Sequence, residues 1–447
     1  MASASLGDVA EVVSGVGFPK DLQGASEGDV PVFKVGDISN AIKSGTHFLR
    51  KSPNNLSNAD ASKLSKTLMP PGTIVFAKIG EGLKLNRRAV LSQPSLVDNN
   101  VMGLVPKAGV ATSAYLYYFM QTIDLGILSR ATAVPSVRKS DVVELPIPLP
   151  LIAQQDEIVA ELEKQFSRLD EAVANLQRVK ANLKRYKASV LKDAVEGRLV
   201  PTEAELARRE GRSFETGKQL LQRILETRRK DWKGRGAFPE SSDVTVGTAD
   251  LPAGWVWTTL GQCFRVAVGA TPSRKEPSYW DGDIPWVSSG EVQLGRIRHT
   301  DEHISAAGLA NSSTQLNPAG SVMIGMIGQG KTRGQAAILD IEAANNQNCA
   351  AIWVSRTAIP TEYVFFWLMS RYTETRSEGS GNNQQALNKR LVEQIPLPLP
   401  PLAEQQRIVA EVDRRLSLVR GVEAEVDANL KRAQALRQSI LHTSFVA

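Results

Sequence analysis

A ladder of prolines that runs straight into a long helical heptad pattern occurs twice in this chain, 250 residues apart. Pro146-Ile-Pro-Leu-Pro-Leu-Ile-Ala-Gln-Gln-Asp-Glu-Ile-Val-Ala-Glu161 matches Pro396-Leu-Pro-Leu-Pro-Pro-Leu-Ala-Glu-Gln-Gln-Arg-Ile-Val-Ala-Glu411 at ten of sixteen positions. Prolines at that density cannot continue a helix or a central strand, so each ladder stays extended and ends a globular segment. After the first ladder Leu162, Leu169, Leu176, Leu183 and Val190 fall seven apart, with Phe166 and Val173 on a second seam. Val412, Val419, Val426, Ala433 and Ile440 keep the same register after the second. Sustained heptads signal a coiled coil rather than an ordinary globular helix. A helix over about residues 153–194 reaches roughly 60 Å at 1.5 Å per residue. Two such seams in one chain most simply pair with each other, antiparallel, with a globule at each end of the rod.

The duplication extends backwards from the ladders. Asp29-Val-Pro-Val-Phe-Lys-Val-Gly36 aligns with Asp283-Ile-Pro-Trp-Val-Ser-Ser-Gly290, and Pro70-Pro-Gly-Thr-Ile-Val-Phe-Ala-Lys-Ile-Gly-Glu-Gly82 with Pro318-Ala-Gly-Ser-Val-Met-Ile-Gly-Met-Ile-Gly-Gln-Gly330. Tyr115-Leu-Tyr-Tyr-Phe-Met120 matches Tyr363-Val-Phe-Phe-Trp-Leu368. Each copy is a series of short apolar runs punctuated by Gly, Pro and Asn and closed by one aromatic helix. The pattern predicts an α/β (α+β) globule. The expected layout is a first globule over 1–150, a helical spacer over 151–240, a second globule over 241–400 and a final spacer helix over 401–447. This internal duplication carries pseudo-twofold symmetry. Between the copies, Thr202-Glu-Ala-Glu205 reads as a capping box and Thr216 opens an amphipathic helix, with a linker from 234 to 250.

A length of 447 residues, 42% hydrophobic and 22% charged, suits a soluble protein of two to four domains. Two cysteines fit a reducing, cytoplasmic compartment, and no apolar run reaches the roughly 18 residues of a membrane helix. Residues 178–235 hold 17 Lys and Arg against 8 Asp and Glu, so the basic charge concentrates in the spacer. That stretch reads equally as a solvated helix face or as a contact for a polyanion or a protein.

Taken in order and twice over, these motifs resemble the specificity subunit of type I restriction–modification systems. The resemblance rests on the two ladders with their helix starts, on Gly269-Ala-Thr-Pro-Ser-Arg-Lys275, on Asp283–Gly290 and on Leu251-Pro-Ala-Gly-Trp255. The first copy lacks an opening like Leu251–Trp255. The resemblance implies two target-recognition globules joined by two antiparallel helices, and double-stranded DNA with a bipartite target as ligand. It implies two methyltransferase (modification) subunits and motor–nuclease (restriction) subunits as partners, no membrane, and no catalysis or cofactor in this chain. Partner contacts are then expected on the spacer, around Gln155, Glu161, Gln405 and Glu411.

Gly325-Met-Ile-Gly-Gln-Gly-Lys-Thr332 satisfies the P-loop pattern, but a P-loop needs a helix after it, and Gln335-Ala-Ala-Ile-Leu339 reads as a strand. A strand–loop–strand is the better expectation, with Lys331, Thr332, Arg333 and Gln335 available to bases or phosphates. The matching loop of the first copy supplies Lys78, Lys84, Asn86, Arg87 and Arg88. A second candidate loop holds Thr271, Ser273, Arg274 and Lys275; a third holds Asn383 and Gln384, opposite Arg138 and Lys139. Arg333→Ala is expected to weaken binding of one half-site. Because matched loops differ between the copies, the two half-sites should differ too. His299 and His303 lie four apart with no third-ligand pattern nearby, and no metal is expected. Alternatives to this reading are a specificity subunit that serves a methyltransferase alone, a P-loop NTPase, and a purely structural coiled-coil scaffold.

Overall fold

The computed structural model describes residues 3–129, 135–232, 238, 250–328, 331–377 and 386–446. They form two compact units, Met1–Arg178 with Val426–Ala447, and Val179–Glu425. Each unit therefore includes part of both long helices.

In the first unit ten strands follow in order: β1 (Ser3–Ser5), β2 (Ala10–Ser14), β3 (Val30–Phe33), β4 (Phe48–Leu49), β5 (Asn55–Leu56), β6 (Ile74–Ala77), β7 (Arg88–Leu91), β8 (Leu96–Val97), β9 (Val101–Pro106) and β10 (Pro146–Pro148). A five-stranded sheet has the order β2-β9-β6-β7-β4, and a three-stranded sheet the order β5-β3-β8. β1 and β10 form a separate antiparallel pair in which Ser3 faces Pro148. Strand β6 is buried along its whole length because both faces of the sheet are covered. Ile74 and Phe76 join a core with Tyr115, Leu116 and Phe119 of the aromatic helix Ser113–Thr122. Val75 points the other way, toward Phe33, Ile38 and Leu91.

The second unit repeats this strand for strand, with β11 (Val256–Thr259), β12 (Val266–Val268), β13 (Trp280–Val287), β14 (Gly295–Ile297), β15 (Glu302–Ile304), β16 (Ser321–Gly325), β17 (Ala336–Leu339), β18 (Ala344–Asn345), β19 (Cys349–Ile352) and β20 (Pro396–Leu399). Its sheets are β12-β19-β16-β17-β14, β15-β13-β18 and β11-β20. The proline ladders are β10 and β20, each paired with only one strand, where the missing N–H groups cost nothing. In both units a tyrosine of the aromatic helix pins the ladder. Tyr115 Oη donates to the Pro148 carbonyl and Tyr363 Oη to that of Pro398, each at 2.7 Å.

The first long helix spans Ile152–Val195 and the second Leu402–Val446, close to the expected start and stop. Within the first unit the helices run antiparallel. Arg437 pairs with Asp170 at 2.7 Å, and Leu162, Phe166, Leu441 and Phe445 share one core. Within the second unit the other halves do the same. Lys187 pairs with Glu423 at 2.6 Å, while Val190, Ala194, Ile408 and Val412 are buried together. The heptad seams thus pair with each other. Thr202 and Glu205 form the expected capping box of helix Glu203–Glu210, and Thr216 with Gln219 caps Gly217–Lys230. The 234–250 linker falls almost entirely outside the described residues. No helix among the described residues is long and apolar enough to cross a membrane.

Candidate nucleic-acid interface

The P-loop pattern folds as a β-hairpin. β16 and β17 pair antiparallel, Val322 opposite Ile338, and the base is closed by the Gly325 N–H to the Gln335 carbonyl at 2.9 Å and the Gly334 N–H to that of Gly325 at 2.8 Å. The chain returns into the same sheet instead of starting a helix, so no helix N-terminus receives a phosphate. This overturns the NTPase reading and agrees with the strand–loop–strand expectation. Gln329 and Gly330, at the hairpin tip, lie outside the described residues.

Three loops of the second unit converge on the turn between β18 and β19. The Met326 N–H donates to the Asn348 carbonyl at 2.8 Å, and the Leu387 N–H to the Met326 carbonyl at 2.9 Å. Thr271 bonds Gln347 through side chains at 2.6 Å. The hairpin, the 271–275 loop and the start of the helix Lys389–Glu393 therefore share one edge of this unit. The motif that begins at Gly269 has a steric reason. A Cβ there would sit 1.8 Å from the Asn345 carbonyl oxygen, and one at Gly15 in the first unit 1.9 Å from that of Asp98. The first unit makes the same joins. Lys78 N–H donates to the Asn100 carbonyl and Val137 N–H to the Lys78 carbonyl, both at 2.9 Å. The 78–87 loop is thereby brought beside Arg138 and Lys139, which are both exposed.

Not every candidate reaches this edge with its side chain available. Lys331, Lys275 and Ser273 are exposed, and Lys78, Arg87, Thr271, Thr332 and Gln335 half-buried. Lys84 is exposed but paired with Glu81 at 2.6 Å. Arg274 is exposed yet held twice, in a bidentate pair with Glu302 and over the Trp280 ring at 3.7 Å. A phosphate would have to compete with both contacts.

Five expectations need correction. Arg88 lies on β7 and is buried, its guanidinium donating to the Asn86 and Ile123 carbonyls; burial lowers its pKa to about 10. Asn86 adopts a left-handed conformation, φ 52°, and braces the Ile123–Leu125 turn through both ends of its amide. Arg333 is buried rather than displayed on the hairpin. Gln155 and Gln405 are fully buried and cannot meet a partner. Gln155 accepts from the Thr112 N–H at 2.9 Å and donates to the Val110 and Pro150 carbonyls, which fastens the long helix to its own globule. Gln405 donates to the Pro400 carbonyl at 2.8 Å, while its Oε1 meets no partner among the described residues. The position matching Thr112 is Pro360, which has no N–H to offer. Glu161 is exposed, and Glu411 is engaged by Arg414 and Arg415. Asn383 and Gln384 lie outside the described residues.

One cluster escaped the sequence reading. Glu404, fully buried, accepts the Glu203 N–H at 2.8 Å and the Trp255 indole N–H at 2.9 Å. Glu203, also buried, pairs with Arg212 and Arg407, each at 2.6 Å. The cluster ties the Leu251–Trp255 opening and the helix Glu203–Glu210 to the second long helix. Its signal was Glu404 itself, an acid where the first ladder has Gln154. Among the described residues no group of three or more His, Cys, Asp or Glu converges as a metal site.

Two copies of one mixed-sheet globule, each leaving through a proline ladder into a long helix and presenting a polar, cation-bearing loop edge, define the class of fold. The chain belongs to the type I restriction modification DNA specificity domain family, whose model matches residues 1–184 and 252–426. It is similar to the EcoR124I/EcoR124II specificity subunit of Escherichia coli, 25% identical over 189 residues, which is 40% of this chain and 46% of that one. It also resembles the Escherichia coli EcoDI specificity subunit, 23% identical over 71% of this chain and 65% of the relative. The alignments thus span less than two thirds of these relatives' length. A chain solved in work on complex assembly and conformational transition of the type I R-M system shares the fold, with TM-score 0.64, 18% identity, and coverage of 99% of this chain and 97% of that one.

Proposed function

We propose that this chain is the DNA sequence-specificity subunit of a type I restriction–modification complex and carries no catalytic centre of its own. Each globule reads one half of an asymmetric bipartite site, and the spacer helices dock methyltransferase and motor–nuclease subunits. In this reading 1–150 and 241–400 recognise the target, and 151–240 with 401–447 serve assembly, in the cytoplasm. The observation that carries it is the pairing of one fold with two loop sets. Strand order is the same in both units, yet the residues at matching loop edges differ, as with Lys84 against Thr332 and Arg87 against Gln335. A scaffold without sequence-reading duties would have no reason to keep duplicate platforms and vary only their rims.

The test is DNA binding by the full chain copurified with its methyltransferase partners, measured against salt. Affinity should fall steeply as salt rises. Lys331→Ala should weaken binding to all sequences alike and reduce the salt slope by about one if it meets a phosphate. It should relax one base position, at about 1–3 kcal/mol, if it meets a base. Salt-independent or absent DNA binding would sink the proposal.

A further inference from the structure

The first unit contains a cavity of about 440 Å³ between its five-stranded sheet and the first long helix. The volume lies within the range of ligand sites. Its walls include His47, Phe48, Arg50, Tyr117, Tyr118 and Glu163. His47 stacks on Tyr117 at 4.3 Å with planes 19° apart and touches Phe48 at 4.2 Å. Burial holds the His47 pKa below its ordinary value against the opposing pull of Glu163, so the ring offers an uncharged aromatic face. Glu163 is the one carboxylate in the wall; Tyr118 Oη reaches it at 3.4 Å, and no ion pair engages it among the described residues.

The duplication shows what the fold puts in this place when it is filled. Phe48 sits opposite Val90 in the β4–β7 register, and Arg296 opposite Ile338 in the β14–β17 register, so Phe48 and Arg296 are equivalent. In the second unit the Arg296 guanidinium bonds Asp340 at 2.7 Å and Glu362 at 2.6 Å. Asp413 lies within electrostatic reach of both Arg296 and Glu362. The matching positions of the first unit are Ser92, Ala114 and Glu163. The second unit thus carries its own cation among three acids. In the first unit Phe48 stands in place of Arg296, and Ser92 and Ala114 in place of two of the acids; the carboxylate on the long helix is present as Glu163, and Tyr117 and Tyr118 stand where the second unit has Phe365 and Phe366.

We propose that this cavity receives an arginine side chain from a protein partner, the guanidinium meeting Glu163 and the ring faces of His47 and Tyr117. Charge-assisted pairing with a carboxylate and stacking on aromatic faces are the two interactions guanidinium makes best. An arginine is favoured over a small cation because the equivalent occupant is an arginine that brings its methylene stem along the sheet. Arg50, the counterpart of Arg298, lines the same cavity with its guanidinium 5.9 Å from the Phe48 ring centroid, so the incoming guanidinium is assigned to Glu163 and the His47–Tyr117 pair rather than to Phe48. This site goes beyond the DNA-specificity reading and does not depend on it.

The test is calorimetric titration of the full chain with N-acetyl-arginine N-methylamide, its citrulline analogue, free arginine and inorganic phosphate. The blocked arginine should bind saturably and citrulline should not. Glu163→Gln should weaken binding about tenfold or more, the loss expected for one charge-assisted contact. The triple variant Phe48→Arg, Ser92→Asp and Ala114→Glu, which rebuilds the second unit's occupant, should abolish binding while keeping the wild-type circular dichroism. Equal binding of citrulline, no saturable binding, or insensitivity to both variants overturns the proposal. Tighter binding of free arginine would assign the cavity to a metabolite, and competition by phosphate would make it an anion site; either outcome refutes a partner arginine.

Discussion

Two buried glutamines at matching positions do unequal work. Gln155 satisfies a backbone N–H and two carbonyls, whereas Gln405 satisfies one carbonyl because Pro360 removed its donor. Leaving buried partners unpaired costs about 1–3 kcal/mol each, moderated by local relaxation. Gln155→Ala should therefore destabilise its unit by about 2–3 kcal/mol and Gln405→Ala by about 1 kcal/mol. Chemical denaturation followed by circular dichroism measures both, and equal losses would contradict this bonding pattern. Two glutamates of the second unit should give opposite pH responses. Burial raises the Glu404 pKa even against the N–H donors it accepts, so the folded chain holds that proton more tightly than the unfolded chain. Its contribution is complete below the ordinary value of 4.5 and is lost as pH rises through the raised value. Arg414 and Arg415 lower the Glu411 pKa to about 2, so its contribution is present above 4.5 and lost as pH falls toward 2. All seven tryptophans lie within Val179–Glu425, so tryptophan fluorescence reports on this unit. Glu404→Gln should flatten the loss of stability with rising pH, and Glu411→Gln the loss with falling pH.

The elements show where sequence reasoning reached and where it stopped. Heptad spacing located both long helices within one or two residues, because a seam of period seven has few other structural meanings. Leu162 is 1% exposed, while Leu176 of the same seam is only half-buried. Leu162→Ala should cost about 2–5 kcal/mol and Leu176→Ala clearly less, since the cavity penalty scales with how tightly the site is packed. Thermal unfolding of the two variants separates them, and a reversed order would deny that the seam tightens toward the globule. The turn chemistry of the Gly325–Thr332 segment was legible because a strand pattern followed too soon for a helix. Burial within loops was not. Arg88, Asn86 and Arg333 read as surface groups because a polar or basic residue between two strands usually is one. Only the path of Ile123–Leu125 reveals that Asn86 and Arg88 brace this turn, and only the packed hairpin reveals that Arg333 is buried.

For the chain as a whole, the duplicated platforms with unlike rims predict an asymmetric target of two specific blocks separated by an unspecific gap. Mapping methylated positions in DNA exposed to the chain with the methyltransferase subunits proposed above should return such a motif, and a palindrome or a single block would count against it. The amino-acid order by itself determined the duplication, the sheet-plus-helix class, the ladder exits and the seams, because each is a local pattern with one economical physical solution. Tertiary structure alone decided that each compact unit takes a piece of both long helices. A heptad seam declares that a helix has a partner but not which stretch it meets. It also decided that a ladder glutamine becomes a fastener and that one copy of the fold holds a cavity where the other holds Arg296. Those outcomes depend on which distant backbone and side-chain groups arrive beside a residue, and no local spacing encodes that.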